Sequence, residues 1–334
     1  MNRSFTISAI LAFSLAFVSC GGSKKKEDNG IIVPPVEADR VIYMAGLEYT
    51  NYPSTESACP VVWKNGTVQR LTISATANKN DYGIVNSIFV AGDAVYAAGE
   101  STQNVYGPSA PIYTANLWVD GVPRDLSGGT TDRSGGAAAY SVFVSGPDVY
   151  VAGNNDSGAV VWKNGTPQTL GGQRANSVFV SGSDVYVAGQ HSNALNAVIW
   201  KNGTVLYTLV NDIDERIAIG IQSIYVSGND VYAAGYASGK ARLWKNGNVQ
   251  ALNVGDGQSI AKSVAVSGND VYVAGRADAA KDSAVLWKNG EAQRLSGYIN
   301  SGEAESVFVF GGDVYVCGTD YDQYIELLAK PPEL

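Results

Sequence analysis

The chain has 334 residues, 45% of them hydrophobic and 16% charged, with 38 Gly, 19 Tyr, three Cys, one His and a formal net charge of −8. The apolar share excludes a wholly disordered chain, and the acidic balance excludes the clustered Lys and Arg of a nucleic-acid footprint. A single His excludes a multi-histidine metal site, while low charge with abundant Gly and Tyr reads as all-β with many tight turns.

The chain opens on an address. Arg3 gives a short positive region, Phe5 to Val18 an apolar run, and Ser19 a small residue before Cys20. Fourteen residues rise only about 21 Å as a helix, short of the ~30 Å hydrocarbon core, so residues 1–19 read as a secretory signal rather than a spanning helix. The segment Phe17-Val18-Ser19-Cys20-Gly21 resembles the lipobox of bacterial lipoproteins, with Phe17 in place of the usual Leu. That resemblance implies cleavage before Cys20, acylation of Cys20 and attachment to the outer membrane, at ~0.8 kcal/mol per buried CH₂. Residues 20–38 are rich in Gly, Ser, Lys and Pro and read as a flexible tether. Within it Lys26-Glu27-Asp28 resembles the Lys-acid-acid export tag of some Gram-negative lipoproteins, which favours surface display over a periplasmic location.

Residues 39–331 repeat. Val-Tyr-x-Ala-Gly or a close variant recurs around Tyr43, Tyr96, Tyr150, Tyr186, Tyr232, Tyr272 and Tyr315, at spacings of 53, 54, 36, 46, 40 and 43. Ser-φ-φ-Val precedes six of these, and Trp-Lys-Asn-Gly or a variant follows six, at Trp63, Trp118, Trp162, Trp200, Trp244 and Trp287. All six tryptophans of the chain occupy this one repeat position.

Each unit reads as four short strands. Ser-Val-Phe-Val is the first; Ser-Gly-x-Asp turns it into the second, which carries Val-Tyr-x-Ala-Gly. The third ends in Trp, and Asn-Gly makes a two-residue hairpin into the fourth because both residues tolerate positive φ. Four strands every 40–45 residues define the blade of a β-propeller. The strand layout resembles kelch and NHL repeats, without the double Gly of the former or the closing Asp of the latter. Seven second strands favour seven blades, and six Trp-Lys-Asn-Gly motifs make six the alternative. The first unit lacks a clear first strand, which Ile31–Val33 could supply, and the last ends near Leu327.

In such a fold the first-to-second and third-to-fourth turns share one face, and they are short here. The second-to-third connections (47–59, 100–114, 154–158, 190–196, 236–240, 276–283) and the fourth-to-first connections vary, and they share the other face. Variable loops on a rigid scaffold are where binding residues lie. The longest hold Tyr49, Tyr52, Lys79, Asp81, Tyr82, Tyr106 and Tyr113. These tyrosines suit adaptable contact with a protein or glycan, against the alternative that they cap their own blades.

Other motifs read as structural. The tryptophans lie mid-strand among apolar neighbours, as core. The repeated turn Asp (Asp93, Asp148, Asp184, Asp230, Asp270, Asp313) is expected to bond its own turn backbone. Asp156 to Trp162 is similar to the Asp box of sialidase-like propellers, but its Trp falls one residue late and the motif is not repeated. No clustered Arg set accompanies it, which argues against a sialidase. His191 reads as solvated. Asp212, Asp214 and Glu215, and separately Asp320 and Asp322, could ligate Ca²⁺ but lack EF-hand spacing, so no cofactor is expected. Cys59 and Cys317 would become neighbours in a closed ring, where a disulfide could latch it. Otherwise Cys317 is a small buried hydrophobe.

The leading functional expectation is a membrane-anchored propeller that binds a protein or glycan without chemistry and has no acid pair at its channel mouth. A hydrolase or lyase using channel carboxylates would need such a pair. A structural subunit of a surface complex is the third reading.

Overall fold

The computed structural model describes residues 41–51, 54–73, 82–103, 112–127, 136–192, 195–209, 219–252, 254–255, 257–279, 281–295 and 302–320. Its strands follow the repeat. The first unit holds β1 (Tyr43–Asn51), β2 (Ser54–Lys64) and β3 (Thr67–Arg70), and the second β4 (Tyr82–Ala91), β5 (Ala94–Gln103), β6 (Ile112–Val119) and β7 (Val122–Asp125). The third holds β8 (Ala138–Ser145), β9 (Asp148–Asn155), β10 (Gly158–Lys163) and β11 (Thr166–Thr169). In the fourth stand β12 (Arg174–Ser181), β13 (Asp184–Gln190), β14 (Ala197–Lys201) and β15 (Thr204–Leu209). The fifth comprises β16 (Ile219–Ser227), β17 (Asp230–Ala237), β18 (Lys240–Lys245) and β19 (Asn248–Ala251), and the sixth β20 (Ser259–Ser267), β21 (Asp270–Ala279), β22 (Lys281–Lys288) and β23 (Glu291–Arg294). The seventh contributes β24 (Gly302–Phe310) and β25 (Asp313–Asp320).

Within each unit the strands pair antiparallel in chain order, from an inner strand at the axis to a short outer one. The first unit has no inner strand among the described residues and joins the second through one parallel pair, Ala58 with Tyr82. The four-residue outer strands are exposed, and Pro123 and Pro167 in β7 and β11 remove donors from those edges.

The Asn-Gly hairpins form as the sequence requires. Asn164 and Gly165 have φ of 52° and 85°, and Asn65, Asn202, Asn246 and Asn289 repeat the conformation, with Asp120 standing in for Asn in the second unit. The repeated Asp has a different partner from the expected one. Asp148 accepts from Asn164 Nδ2 at 2.8 Å and pairs with Lys163 Nζ at 2.7 Å, so it binds the neighbouring hairpin rather than its own turn. Lys163 also lies 5.4 Å from the Tyr150 ring centroid, and the fourth, fifth and sixth units repeat the arrangement. Lys163 and the Asn164 amide hold the Asp148 carboxyl below its usual range. Asp, Tyr, Lys and Asn of the repeat are therefore one clamp across the short-turn face.

The tryptophans fill the gaps between units, as expected. Trp200, fully buried, packs with Val180 and Val187 of its own unit against Tyr150, Val161 and Leu170 of the third. Trp244 does the same between the fourth and fifth units, and Trp287 between the fifth and sixth. Each sheet thus buries one face only by leaning on its neighbour.

The long second-to-third connections of the first two units are not free loops. β1 and β2 stay paired out to Asn51 and Ser54, and β5 and β6 out to Gln103 and Ile112. These paired ends lengthen the sheets of the two units, because alternating Tyr, Thr and Ser continue the strand pattern. Cys59 and Cys317 are thiols and are not bonded to each other, which removes the expected latch. Cys317 is buried, with its Sγ 3.9 Å from the Ser306 carbonyl, a hydrophobe's position. Cys20 and the tether lie outside the described residues.

Candidate functional site

The inner strands β4, β8, β12, β16, β20 and β24 together line a cavity of about 750 Å³ along the axis. All six carry a β-bulge at the same place. In β8 the pairing steps from Ala139–Gly153 to Ser141–Ala152, which leaves Tyr140 without an opposite number. The bulged residues of the other five are Asn86, Asn176, Gln222, Lys262 and Glu305. A bulge re-aims a side chain out of the ladder, and all six of these residues line the cavity.

Two repeated residues make the bulge. The glycine of Val-Tyr-x-Ala-Gly lies under it: a Cβ on Gly189 would collide with the Arg174 carbonyl, and one on Gly275 with that of Ile260. The serine after the bulge takes up the next unit's spare donor. Val142 N–H donates to Ser87 Oγ (2.9 Å), Val178 to Ser141 (3.2 Å), Ile224 to Ser177 (3.2 Å), Val264 to Ser223 (3.3 Å) and Val307 to Ser263 (3.2 Å). The motif residues are thus scaffold, and the column between them carries the diversity.

The bulges lie near the start of each inner strand and therefore at the variable-loop end of the channel, the face expected to be functional. Deeper, Phe89, Phe143, Phe179 and Tyr225 form a belt with successive ring centroids 4.9, 4.9 and 4.8 Å apart. Phe308 continues the lining, and Ala265 breaks the aromatic series in the sixth unit.

The mouth has two unlike halves. In the sixth and seventh units the charges are consumed among themselves. Lys262 Nζ lies 2.9 Å from Glu303 and 3.3 Å from Glu305, and Arg276 Nη1 lies 2.6 Å from Glu303. Burial and the neighbouring Glu303 push the Glu305 carboxyl up to about 7 against the pull of Lys262. Burial also opposes ionisation of Glu303, but Lys262 and Arg276 outweigh it and hold that carboxyl below its usual range.

In the second to fifth units the bulged residues Asn86, Tyr140 and Asn176 are tied by hydrogen bonds, and Asn86 Nδ2 donates to the Ala139 carbonyl at 3.0 Å. Arg174 Nε donates to Asn176 Oδ1 at 2.6 Å, and the guanidinium carbon lies 4.8 Å from the Tyr140 ring centroid. Asn176 Nδ2 in turn donates to the Ile221 carbonyl at 2.6 Å, and Tyr140 Oη to Asn154 at 2.9 Å. Among the described residues no carboxylate closes an ion pair on Arg174. Glu100, half-buried in the lining, has no hydrogen-bond partner among them either, and burial raises its carboxyl above the usual range despite the pull of Arg174. Gln222 and Tyr225 line the same wall, their side chains likewise with no hydrogen-bond partner among the described residues.

An acid pair therefore does converge on the channel mouth, contrary to what the binding reading led us to expect. Glu303 and Glu305 share one cation, Lys262 Nζ at 2.9 and 3.3 Å, and of the two Glu305 lines the cavity. Hydrolysis of a glycoside needs carboxyl groups ~5 Å or more apart to admit the sugar, and this pair is closed and clamped by two cations. It is built as a salt-bridge network.

Of the expected ligand-binding tyrosines, Tyr82 lines the cavity and Tyr113 is exposed, its side chain close over Gly136. Tyr49 occupies a backbone position in β1, and its side chain lies outside the described residues, as do Tyr52 and Tyr106. Asp212, Asp214, Glu215 and Asp322 also fall outside, with the side chain of Asp320. His191 sits beside Ser192, its Nδ1 3.3 Å from the hydroxyl, away from the channel lining. The sequence reading missed the bulged column, although aligning the six Ser-φ-φ-Val segments exposes it as the residue just before Ser.

No protein-family model matches the chain, and no curated protein resembles it in sequence. Solved structures resemble it in fold. A Mycobacterium tuberculosis puromycin-hydrolysing peptidase matches at TM-score 0.50 and 10% identity over 93% of this chain and 50% of that one. The WD40 β-propeller domain of Doa1 matches at 0.36 and 15% over 70% and 89%, and a Trypanosoma rangeli sialidase at 0.44 and 11% over 77% and 53%. The chain spans about half the length of the peptidase and of the sialidase. The chain is an all-β protein of the β-propeller class, and at these identities the likeness extends to fold alone.

Proposed function

We propose that this is an exported, lipid-anchored β-propeller that binds a protein or glycan ligand at the mouth of its central channel, on the variable-loop face. One observation carries the reading: within a repeat whose structural residues hardly change, the bulged position turned into the channel is Asn86, Tyr140, Asn176, Gln222, Lys262 or Glu305. A purely structural column would repeat as Ser and Gly do. The lipobox-like segment at Cys20 supports the anchor, and the surface-exposed outer membrane is the location we propose. The binding residues we now favour are those of the channel wall, with Tyr82, Tyr113 and the hairpins of the first two units as its rim.

Glycan and peptide arrays probed with the wild type and with Gln222→Trp test this. An indole placed in the mouth should abolish capture, whereas Lys163→Met on the opposite face should leave it intact. Capture that survives Gln222→Trp removes the channel from the account. A hydrolase reading rests on Glu305, whose carboxyl sits near neutral pH beside a second acid. Turnover of an array hit that disappears in Glu305→Gln would favour it.

A further inference from the structure

Resting on the channel as the ligand site, but replacing a protein or glycan by a small molecule as its occupant, we infer that the ligand held there is a free amino acid whose α-ammonium and α-carboxylate bridge Glu100 and Arg174. A cation and an anion line this one cavity without an ion pair between them. Glu100, half-buried, would be stabilised by a cation that supplies its missing partner, while exposed Arg174 stands at the rim of the same cavity. They are held apart by the fold. Arg174 is pinned by its Nε bond to Asn176 and by stacking on Tyr140, while Glu100 stands on β5, in the second unit, two units away round the ring.

Pinning through Nε leaves the two terminal nitrogens of Arg174 as a fork, the geometry that receives a carboxylate in bidentate fashion. Glu100, an acceptor when ionised, matches an ammonium. Charge decides among ligands. An anion alone would sit beside Glu100, and a cation alone beside Arg174, each meeting a like charge, with Glu100 half-buried and Arg174 exposed. A group with both charges on adjacent carbons meets neither penalty. Gln222 stands one unit on from Asn176 at the same level, and Tyr225 belongs to the deeper aromatic belt, toward which the side chain of the ligand would point.

The test measures the melting temperature of the full protein with each of the twenty free L-amino acids in turn, then titrates those that raise it. We expect at least one to bind, and its α-amide and N-acetyl derivatives to bind at least about tenfold more weakly, each having lost one charge. Glu100→Gln and Arg174→Gln should each weaken binding by a similar factor without lowering the melting temperature of the free protein. No shift with any amino acid overturns the inference, as does equal binding of the amide or N-acetyl form. A neutral trisaccharide such as maltotriose that binds and is lost in Gln222→Trp would leave the channel as the site and refute only the zwitterion.

Discussion

The two halves of the channel mouth are built from the same repeat and the same kinds of charge, yet one is closed on itself and the other is open. Lys262, Arg276, Glu303 and Glu305 satisfy one another across the junction of the sixth and seventh units. Glu100 and Arg174, set two units apart, do not meet. The difference lies in placement. Glu305 is the bulged residue of β24 with Glu303 two positions before it, and Lys262 is the bulged residue of the adjacent inner strand. A charge network within one junction contributes to stability, and separated charges around a cavity are free to contribute to binding.

Substitutions that strike the common scaffold should affect both halves most. Gly189→Ala, in the open half, and Gly275→Ala, in the closed half, each drive a methyl into a backbone carbonyl. Each should lower the unfolding free energy in urea by about 3 kcal/mol, as overpacking and a displaced strand do. A loss under half of that in either would mean that the bulge can shift without cost.

Charge removal should then separate the halves. Lys262→Met leaves Glu303 and Glu305 facing each other with only Arg276, and should cost about 2 kcal/mol at pH 8, after allowance for the partial exposure of Lys262. Arg174→Gln, which breaks no ion pair among the described residues, should change stability by less than about 0.5 kcal/mol. Equal losses would erase the distinction.

The closed half should also titrate. Glu305 has its carboxyl raised from 4.5 to about 7, chiefly by burial, with Glu303, Lys262 and Arg276 as its charged neighbours. The folded state therefore holds a proton that the unfolded chain has released, so this group's contribution to stability falls as pH rises from about 4.5 to 7. Glu303, with its carboxyl lowered, acts in the opposite sense at lower pH. Chemical denaturation from pH 5 to 8 should show the decline, and Glu305→Gln should flatten it; an unchanged slope would place the titration elsewhere.

The smallest effect belongs to the serines between units. Ser177→Ala strips the acceptor from the Ile224 N–H and should cost about 1 kcal/mol. Ser141→Ala and Ser263→Ala should match it if the junctions are equivalent in both halves.

Much of this architecture was legible in the chain. Trp162 and its counterparts announce the packing between units because a large aromatic recurs amid apolar neighbours, and Asn164-Gly165 announces the hairpin through its positive φ. The site was less so. Tyr140 or Gln222 looks like any polar residue of a half-exposed strand until a bulge turns it inward, and the bulge is a property of two paired strands. Its trace was present in the invariant glycine of Val-Tyr-x-Ala-Gly, which the sequence explains only as close backbone approach. The Asp148 clamp was misread because its partners, Lys163 and Asn164, lie fifteen and sixteen residues on and meet it only after the strands fold back. Unequal loop lengths pointed to the face at which the bulged column stands, although the channel wall there comes from inner strands.

The most direct measurement is a crystal structure of the protein with its captured ligand. The account predicts that the ligand lies inside the channel within hydrogen-bonding distance of Arg174 and Glu100, with Lys262 still paired to Glu303. A ligand seated on the outer hairpins or on the short-turn face, with the channel mouth empty, would contradict it.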